Sequence, residues 1–308
     1  MQSLSPVEPA SRAVLDYANY TEPTFRGEFT ADMQRVSPLQ RHHENGIARL
    51  RYDPKAYDFR ALVGEALAAA GMIDRAALAD RGDQLELLHE LVAAENQVMD
   101  HSQQSAAARA LYEMPSAFAV LHERLLAEVV VPALGIGRAH LQRTPTFRVF
   151  FPKAPGYLGA TTFHNDIMIG HNPRAVNVFI PLVRCEASRS LLLAELAPSL
   201  QLLREYDYDF ARFGRDTQDD RALMERCERI CQPLAAEVGD IVVFDSRCLH
   251  AGPHNKTELT RVTFDTRILP VAEIATQGNA YQGRGRRRAD FAVGAYFTPH
   301  AVGAPVAR

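Results

Sequence analysis

The sequence has few cysteines, no long apolar run and no excess of positive charge. Its 308 residues include four cysteines, which are too few for a disulfide scaffold, so we expect reduced thiols. No window approaches the roughly 18 consecutive apolar residues of a membrane span, and MQSLSPVEPASRAVLDYANY does not have the form of a signal peptide. The net charge of -3 argues against nucleic acid or an anionic membrane as main partner. These absences predict a cytoplasmic protein without either partner.

The period of the apolar residues changes along the chain. From about 58 to 140 they recur at helical spacing, as in FRALVGEALAAAGM and AFAVLHERLLAEVVVPAL. Short β-type runs follow and are interrupted by a polar segment at about 197–232. The predicted strands lie within residues 145–152, 175–183, 188–196, 237–250 and 259–271. This order predicts an α+β fold in which a helical layer packs against an antiparallel sandwich or barrel.

We interpret residues 1–308 as a single domain. Residues 1–140 are predicted to be mainly helical support, 141–273 the β core with its insertion at about 197–232, and 274–308 a C-terminal segment. The C-terminal segment contains a basic run, RGRRR (284–288), which we interpret as a solvated loop, with contact to an anionic substrate as the alternative.

The run LTRVTFDTRILPV (259–271) alternates along a predicted strand. One face carries Val262, Phe264 and Thr266. The other carries polar side chains, at Arg261, Thr263, Asp265 and Arg267. So polar a face predicts that the strand lines a cavity instead of facing a filled core.

The stretch TTFHNDIMIGH (161–171) contains a candidate metal site. In a strand, residues i and i+2 point to the same side, so His164 and Asp166 can reach one ion together. An imidazole nitrogen and a carboxylate oxygen suit Fe(II), Mn(II), Co(II) or Zn(II). The alternative is a strand end with two solvated polar residues.

A third ligand is available at His250, where the predicted strand GDIVVFDSRCLH ends. Two histidines and one carboxylate form the facial triad of non-haem Fe(II) oxygenases, which leaves coordination positions open. On the next predicted strand, Arg261 offers a planar guanidinium that binds a carboxylate through two parallel hydrogen bonds, and the Thr263 hydroxyl adds a third. A dicarboxylic cosubstrate that chelates iron at one end needs such an anchor at the other.

Three segments together resemble the Fe(II)/2-oxoglutarate-dependent dioxygenases: HND (164–166), GDIVVFDSRCLH ending at His250, and TRVTFDTR (260–267). The sequence is similar to the phytanoyl-CoA-dioxygenase-like branch. Within that branch, HNDIMIGHNPRAVNVFIPL resembles the bacterial oxygenases of sugar-cluster and streptomycin-type biosynthesis. The resemblance covers roughly residues 140–270.

The resemblance implies a double-stranded β-helix, or jelly roll, with an N-terminal helical layer. It implies that His164, Asp166 and His250 bind Fe(II), that Arg261 and Thr263 bind the distal carboxylate of 2-oxoglutarate, and that O2 is the second cosubstrate. Halogenating members replace the carboxylate ligand with a small residue. Asp166 therefore favours hydroxylation.

Further polar residues are candidates for the same cavity. Asn177 alternates with branched residues on a predicted strand and is assigned to 2-oxoglutarate, with a hydrogen-bonded core amide as the alternative. Candidate substrate-binding residues are Arg148, Arg267, His171 and Ser246. For Arg148 a solvated outward position is equally open. For His171 the pattern HxDxxxxH also permits a zinc ligand, although His250 already completes the set.

The predicted function is hydroxylation of an unactivated C–H bond of a small polar metabolite, of the sugar or aminocyclitol type, in secondary metabolism. The substrate alternatives are a free or carrier-bound amino acid and another natural product. Two other classes stay open: a cupin-like metal hydrolase or isomerase using Zn or Mn, which leaves Arg261 and Thr263 unexplained, and a ligand-binding barrel without turnover.

Overall fold

The computed structural model describes residues 31–100, 104–113, 116–153, 163–275 and 291–303. The RGRRR run predicted to form a loop lies outside these ranges. Within them the chain forms helices and antiparallel strands, in an order that places most helices before most strands. None of the described helices combines the length and apolarity needed to cross a membrane. All four cysteines are free and buried.

Nine strands lie in the described part of the chain. They are β1 (Ile47–Arg51), β2 (Ala139–Leu141), β3 (Thr146–Phe150), β4 (Val176–Pro181), β5 (Leu192–Leu193), β6 (Gln232–Pro233), β7 (Asp240–Asp245), β8 (His250–Ala251) and β9 (Arg261–Pro270). The larger sheet has the order β1-β7-β4-β9-β2, with β3 also paired to β9, and the smaller has the order β6-β5-β8. The strand pairs of both sheets in the described residues are antiparallel.

The described helices are of two groups. The first precedes or flanks the early strands: α1 (Pro38–His42), α2 (Phe59–Ala69), α3 (Arg75–Asp80), α4 (Leu88–Leu91), α5 (Ala94–Gln97), α6 (Ala106–Ala110), α7 (Ser116–Leu125) and α8 (Val131–Ala133). A π-helical turn, Leu126–Val130, joins α7 to α8. The second group follows β5 or β9: α9 (Leu196–Glu205), α10 (Phe210–Asp219), α11 (Arg221–Ile230) and α12 (Val271–Ala275).

Aromatic side chains join the helical layer to the larger sheet. The Phe264 ring of β9 lies 5.0 Å from the Phe59 ring of α2 and 5.3 Å from the Phe118 ring of α7. Thr266, two residues along the same face of β9, bonds to the buried His122 ring at 3.0 Å. Burial lowers the pKa of His122 to about 4, so this imidazole is neutral in the core. One face of β9 is therefore covered by helices, as its alternation predicts.

The predicted fold class is confirmed: the chain is α+β, and two antiparallel sheets form its double-stranded β-helix with a helical layer outside. Two of the predicted strands need correction. The run 237–250 is not one strand, because β7 ends at Asp245 in the larger sheet and a turn leads into β8 of the smaller sheet. Residues 188–196 contain only the two-residue strand β5, preceded by a 3-10 turn and followed by α9.

Candidate metal and cosubstrate site

The three predicted metal ligands converge although the segment around Asp166 is not a strand. His164 forms a single antiparallel bridge with His250. Asp166 has right-handed helical φ and ψ and begins a 3-10 turn, Ile167–Ile169, whose Met168 N–H is capped by the Asn165 side chain at 2.9 Å. The strand geometry predicted for the pair is therefore wrong. The chain turns at Asp166 instead, and its backbone N–H donates to the Ser246 carbonyl at 3.1 Å.

The side chains of His164, Asp166 and His250 form a compact cluster. One ligand atom from each lies within 4.8 Å of the other two. Asp166 Oδ1 is buried and has no hydrogen-bond partner, and it lies 3.5 Å from His250 Nε2. The other ring nitrogen, His250 Nδ1, lies 3.0 Å from the Cys248 carbonyl. Because a carbonyl only accepts, Nδ1 carries the proton and Nε2 presents a lone pair.

Two unprotonated acceptors that face each other at this distance fit a divalent cation. Burial lowers the pKa of His250, which keeps the imidazole neutral. Burial alone raises the pKa of Asp166, but interactions with Arg267, His171 and His250 together outweigh it, so the net pKa of this carboxyl is held well below its usual range. A neutral histidine and an ionised carboxylate are the forms that bind metal.

Arg261 lies at the start of β9, as predicted, and is buried. Its Nη1 donates to the Ser190 carbonyl at 2.9 Å, and its guanidinium carbon lies 5.0 Å from the Phe150 ring centroid and 5.6 Å from that of Phe179. Thr263 shares its face, and the buried Thr263 Oγ1 has no hydrogen-bond partner. The buried Asn177 Nδ2 of β4 also has none. A carboxylate ligand would satisfy such groups.

The other predicted polar residues divide into two sets. Arg148 is opposite Thr263 in the β3–β9 register, which places it on the polar face, and its Nε donates to Asp265 at 3.3 Å. Both side chains keep partial exposure, 32% for Arg148 and 19% for Asp265. The polar face is therefore partly open to solvent at this pair.

The second set is engaged within the protein. Ser246 is buried and its Oγ donates to the Pro173 carbonyl at 2.9 Å. His171 is outside the ligand cluster, and its ring stacks on Phe291 at 3.8 Å. Burial lowers the pKa of His171 well below its usual value.

The Arg267 side chain bonds to three other side chains. Its Nε donates to Asp166 Oδ2 at 2.5 Å, and its Nη1 donates to Gln142 Oε1 and to the Tyr296 hydroxyl. The sequence does not single out Gln142 or Tyr296. Tyr296 belongs to the C-terminal segment, far from the recognised motifs, and no local spacing connects it to the site.

Comparisons with known proteins found a matching family model and a curated relative. The family model for phytanoyl-CoA dioxygenase (PhyH) matches residues 28–263. The streptomycin biosynthesis protein StrG of Streptomyces griseus is 26% identical over 136 residues, which cover 44% of this chain and 49% of StrG. The match thus spans about half the length of that curated relative.

Similar solved structures were also found. One is SnoK, a non-heme α-ketoglutarate-dependent carbocyclase from nogalamycin biosynthesis, at 15% identity and a TM-score of 0.45, covering 77% of this chain and 85% of SnoK. Another is EctD from S. alaskensis with bound Fe, at 12% identity and a TM-score of 0.45, covering 78% of this chain and 80% of EctD. The family model covers well over half of the 308 residues. The chain therefore belongs to the phytanoyl-CoA dioxygenase family of non-haem iron, 2-oxoglutarate-dependent oxygenases, as the resemblance predicts.

Proposed function

We propose that this protein is an Fe(II)- and 2-oxoglutarate-dependent dioxygenase that hydroxylates an unactivated C–H bond of a small polar metabolite in secondary metabolism. The observation that carries the proposal is the cluster of His164, Asp166 and His250, whose ligand atoms lie within 4.8 Å of one another. Iron(II) held there would supply, with 2-oxoglutarate and O2, the oxidising power to break such a bond.

The chain's own residues would bind and orient the reactants. Arg261 and Thr263 are assigned to the distal carboxylate of 2-oxoglutarate, and Asn177 to a second contact. Phe150 and Phe179 flank the Arg261 guanidinium with apolar rings. They keep the ion pair with the carboxylate in a setting of low polarity, where it is stronger than in water.

The substrate assignment rests on the polar face of the larger sheet. The partly exposed pair Arg148–Asp265 offers both donors and an anionic acceptor beside the buried site. Such a pair suits a polyhydroxylated or amino-bearing molecule and disfavours a long acyl chain. The partial similarity to a streptomycin biosynthesis protein supports a sugar or aminocyclitol type.

The test is turnover of 2-oxoglutarate. Purified protein with Fe(II), 2-oxoglutarate and ascorbate should form succinate, and a panel of sugars, aminocyclitols and amino acids should contain a compound that stimulates this formation. His164→Ala should abolish it. Wild-type succinate formation by His164→Ala would refute the assignment of the metal site. Stimulation by amino acids alone would refute the sugar or aminocyclitol assignment while leaving the oxygenase intact.

A further inference from the structure

The Asp166 carboxylate has two oxygens in different surroundings. Oδ2 accepts a hydrogen bond from Arg267 Nε at 2.5 Å. Oδ1 has no hydrogen-bond partner and faces His250 Nε2 at 3.5 Å. Asp166 is fully buried, so water does not compete for either oxygen. Only Oδ1 is therefore presented to the ligand cluster.

Arg267 is held in place by contacts on its other side. Its Nη1 donates to Gln142 Oε1 at 3.2 Å and to the Tyr296 hydroxyl at 3.1 Å. The Gln142 backbone N–H returns a bond to the Arg267 carbonyl at 2.8 Å. Asp265 Oδ2 lies 4.0 Å from Nη2. A guanidinium fixed at so many points has one orientation, and this orientation fixes the plane of the Asp166 carboxylate.

These contacts distinguish Arg267 from the other arginine on the same face. Arg261 Nη1 donates to a backbone carbonyl, that of Ser190. The Arg267 guanidinium instead donates to three side chains, the carboxylate of Asp166, the amide of Gln142 and the phenol of Tyr296, and it is only 7% exposed. The Arg267 guanidinium therefore has little exposed surface through which a substrate could bind it. Its position beside a predicted metal ligand points to an effect on the metal instead.

We propose that Arg267 is a positioning residue of the metal site: it occupies Asp166 Oδ2, so that Asp166 binds the metal through Oδ1 alone. The proposal rests on the proposed function and adds to it the residue that sets the binding mode of the carboxylate. A carboxylate restricted to one oxygen takes one coordination position, and the position that its second oxygen would take stays open for cosubstrates. Partners of this kind usually change metal affinity by about 10- to 100-fold when they are removed.

The experiment measures Co(II) binding to the full-length apoprotein, by calorimetry and by the visible Co(II) absorption, which depends on coordination number. The variants are Arg267→Gln and Arg267→Lys. The matched control is Arg174→Gln, because Arg174 is also a mostly buried arginine, but it pairs with Asp32, which is not a metal ligand. Thermal melting of each variant is recorded in parallel.

Arg267→Gln should bind Co(II) about 10- to 100-fold more weakly, because the Asp166 carboxylate loses its fixed orientation. Its visible spectrum should also change, because Oδ2 becomes free to bind the metal. Arg267→Lys should recover part of the affinity, because one ammonium donor can still reach Oδ2. Arg174→Gln should keep the wild-type spectrum. Wild-type affinity and spectrum in Arg267→Gln would overturn the proposal, as would an equal spectral change in Arg174→Gln.

Another variant keeps the proposal testable if Arg267→Gln does not fold. Tyr296→Phe removes one hydroxyl that accepts from Arg267 Nη1 and keeps the ring, so it should weaken Co(II) binding in the same direction by a smaller factor. Unchanged binding in both Tyr296→Phe and Arg267→Lys would overturn the proposal. Wild-type protein that binds neither Co(II) nor Fe(II) would contradict the proposed function itself. Wild-type protein that binds metal no better than Arg267→Gln would contradict only the role of Arg267.

Discussion

His164 and His250 exchange both backbone hydrogen bonds, with N···O distances of 3.0 and 2.8 Å, across a single antiparallel bridge. Residues directly opposite each other in an antiparallel pair project to the same side, and their rings lie 4.4 Å apart between centroids. Two segments that are distant in sequence thus bring their imidazoles together through the backbone. The position of one candidate ligand is set by the other.

Removal of either histidine should therefore remove the metal. His164→Ala and His250→Ala each delete one of three ligands, so their Co(II) affinity should fall by more than the ~100-fold limit typical of groups that only orient a ligand. Calorimetric titration of the apoprotein measures this. His42→Ala, at an exposed position of α1, is the matched control and should bind as the wild type does. Metal binding by His250→Ala at wild-type affinity would contradict the site.

Arg261→Ala should raise the KM for 2-oxoglutarate by about 10- to 100-fold. Hydrogen bonds to a charged partner contribute about 1.5–3 kcal/mol, and about 1.4 kcal/mol is a factor of ten. Thr263→Val, which removes only a neutral hydroxyl, should raise it by a few-fold. Succinate formation at varied 2-oxoglutarate gives both values. Arg124→Gln, in the helical layer, should leave the KM unchanged, and an equal rise there would point to a general loss of structure.

Asp245→Asn should destabilise the fold in a pH-dependent way. Asp245 accepts from Arg247 Nε at 2.8 Å and Nη2 at 2.7 Å, and both residues are buried. Breaking such a buried pair costs about 3–5 kcal/mol. Burial raises the pKa of Asp245, but the hydrogen bonds and charge of Arg247, with a hydrogen bond from Ser37, more than compensate, so the net pKa is lowered from 3.8. The stabilisation is therefore present above about pH 4 and is lost as the pH falls below it.

Urea unfolding at pH 7 and at pH 3 checks this sign. The difference between wild type and Asp245→Asn should be larger at pH 7. Glu258→Gln serves as the comparison, because Glu258 pairs with Lys153 on the surface and such pairs contribute about 0–1 kcal/mol. A pH-independent difference for Asp245→Asn would contradict the linkage.

Phe264→Ala should lower stability and leave the metal site intact. The Phe264 ring packs among Phe59, Phe118 and Phe147 on the helical face of β9, and buried Phe-to-Ala changes cost about 3–5 kcal/mol. The melting temperature should fall, while Co(II) affinity at low temperature should match the wild type. A loss of Co(II) affinity without a change in melting temperature would contradict the separation of the two faces.

Three of the strands around the site can be predicted from the sequence, because the residue pattern that indicates each strand lies within the strand itself. β3, β4 and β9 each carry branched or aromatic residues at strand spacing and lie inside the predicted runs. β1 was not predicted. It is only five residues long, its sequence IARLR begins with two adjacent apolar residues instead of a strict alternation, and it is held by pairing with the distant β7. Pairing of this kind is decided by tertiary structure and leaves little local signal.

The contacts that Arg267 makes around the metal ligands also cannot be predicted from the sequence. The alternation on β9 predicts that Arg267 shares the polar face with Arg261, but not that its partner is Asp166. That contact depends on the turn after Asn165, which aims the carboxylate towards β9 in place of continuing a strand. Tyr296 reaches the same arginine from the C-terminal segment. Residue type and spacing do not predict contacts between segments that are distant in sequence.

Both the aromatic face and the polar face of β9 depend on its register with the neighbouring strands. Its pairing with β4 sets Asn177 opposite Arg267 and Ile180 opposite Phe264. A shift by one residue would turn every side chain of β9 to the other side, which would drive the arginines into the aromatic core and the phenylalanine into the polar cavity. A single-residue insertion or deletion within β9 would therefore damage folding and chemistry together.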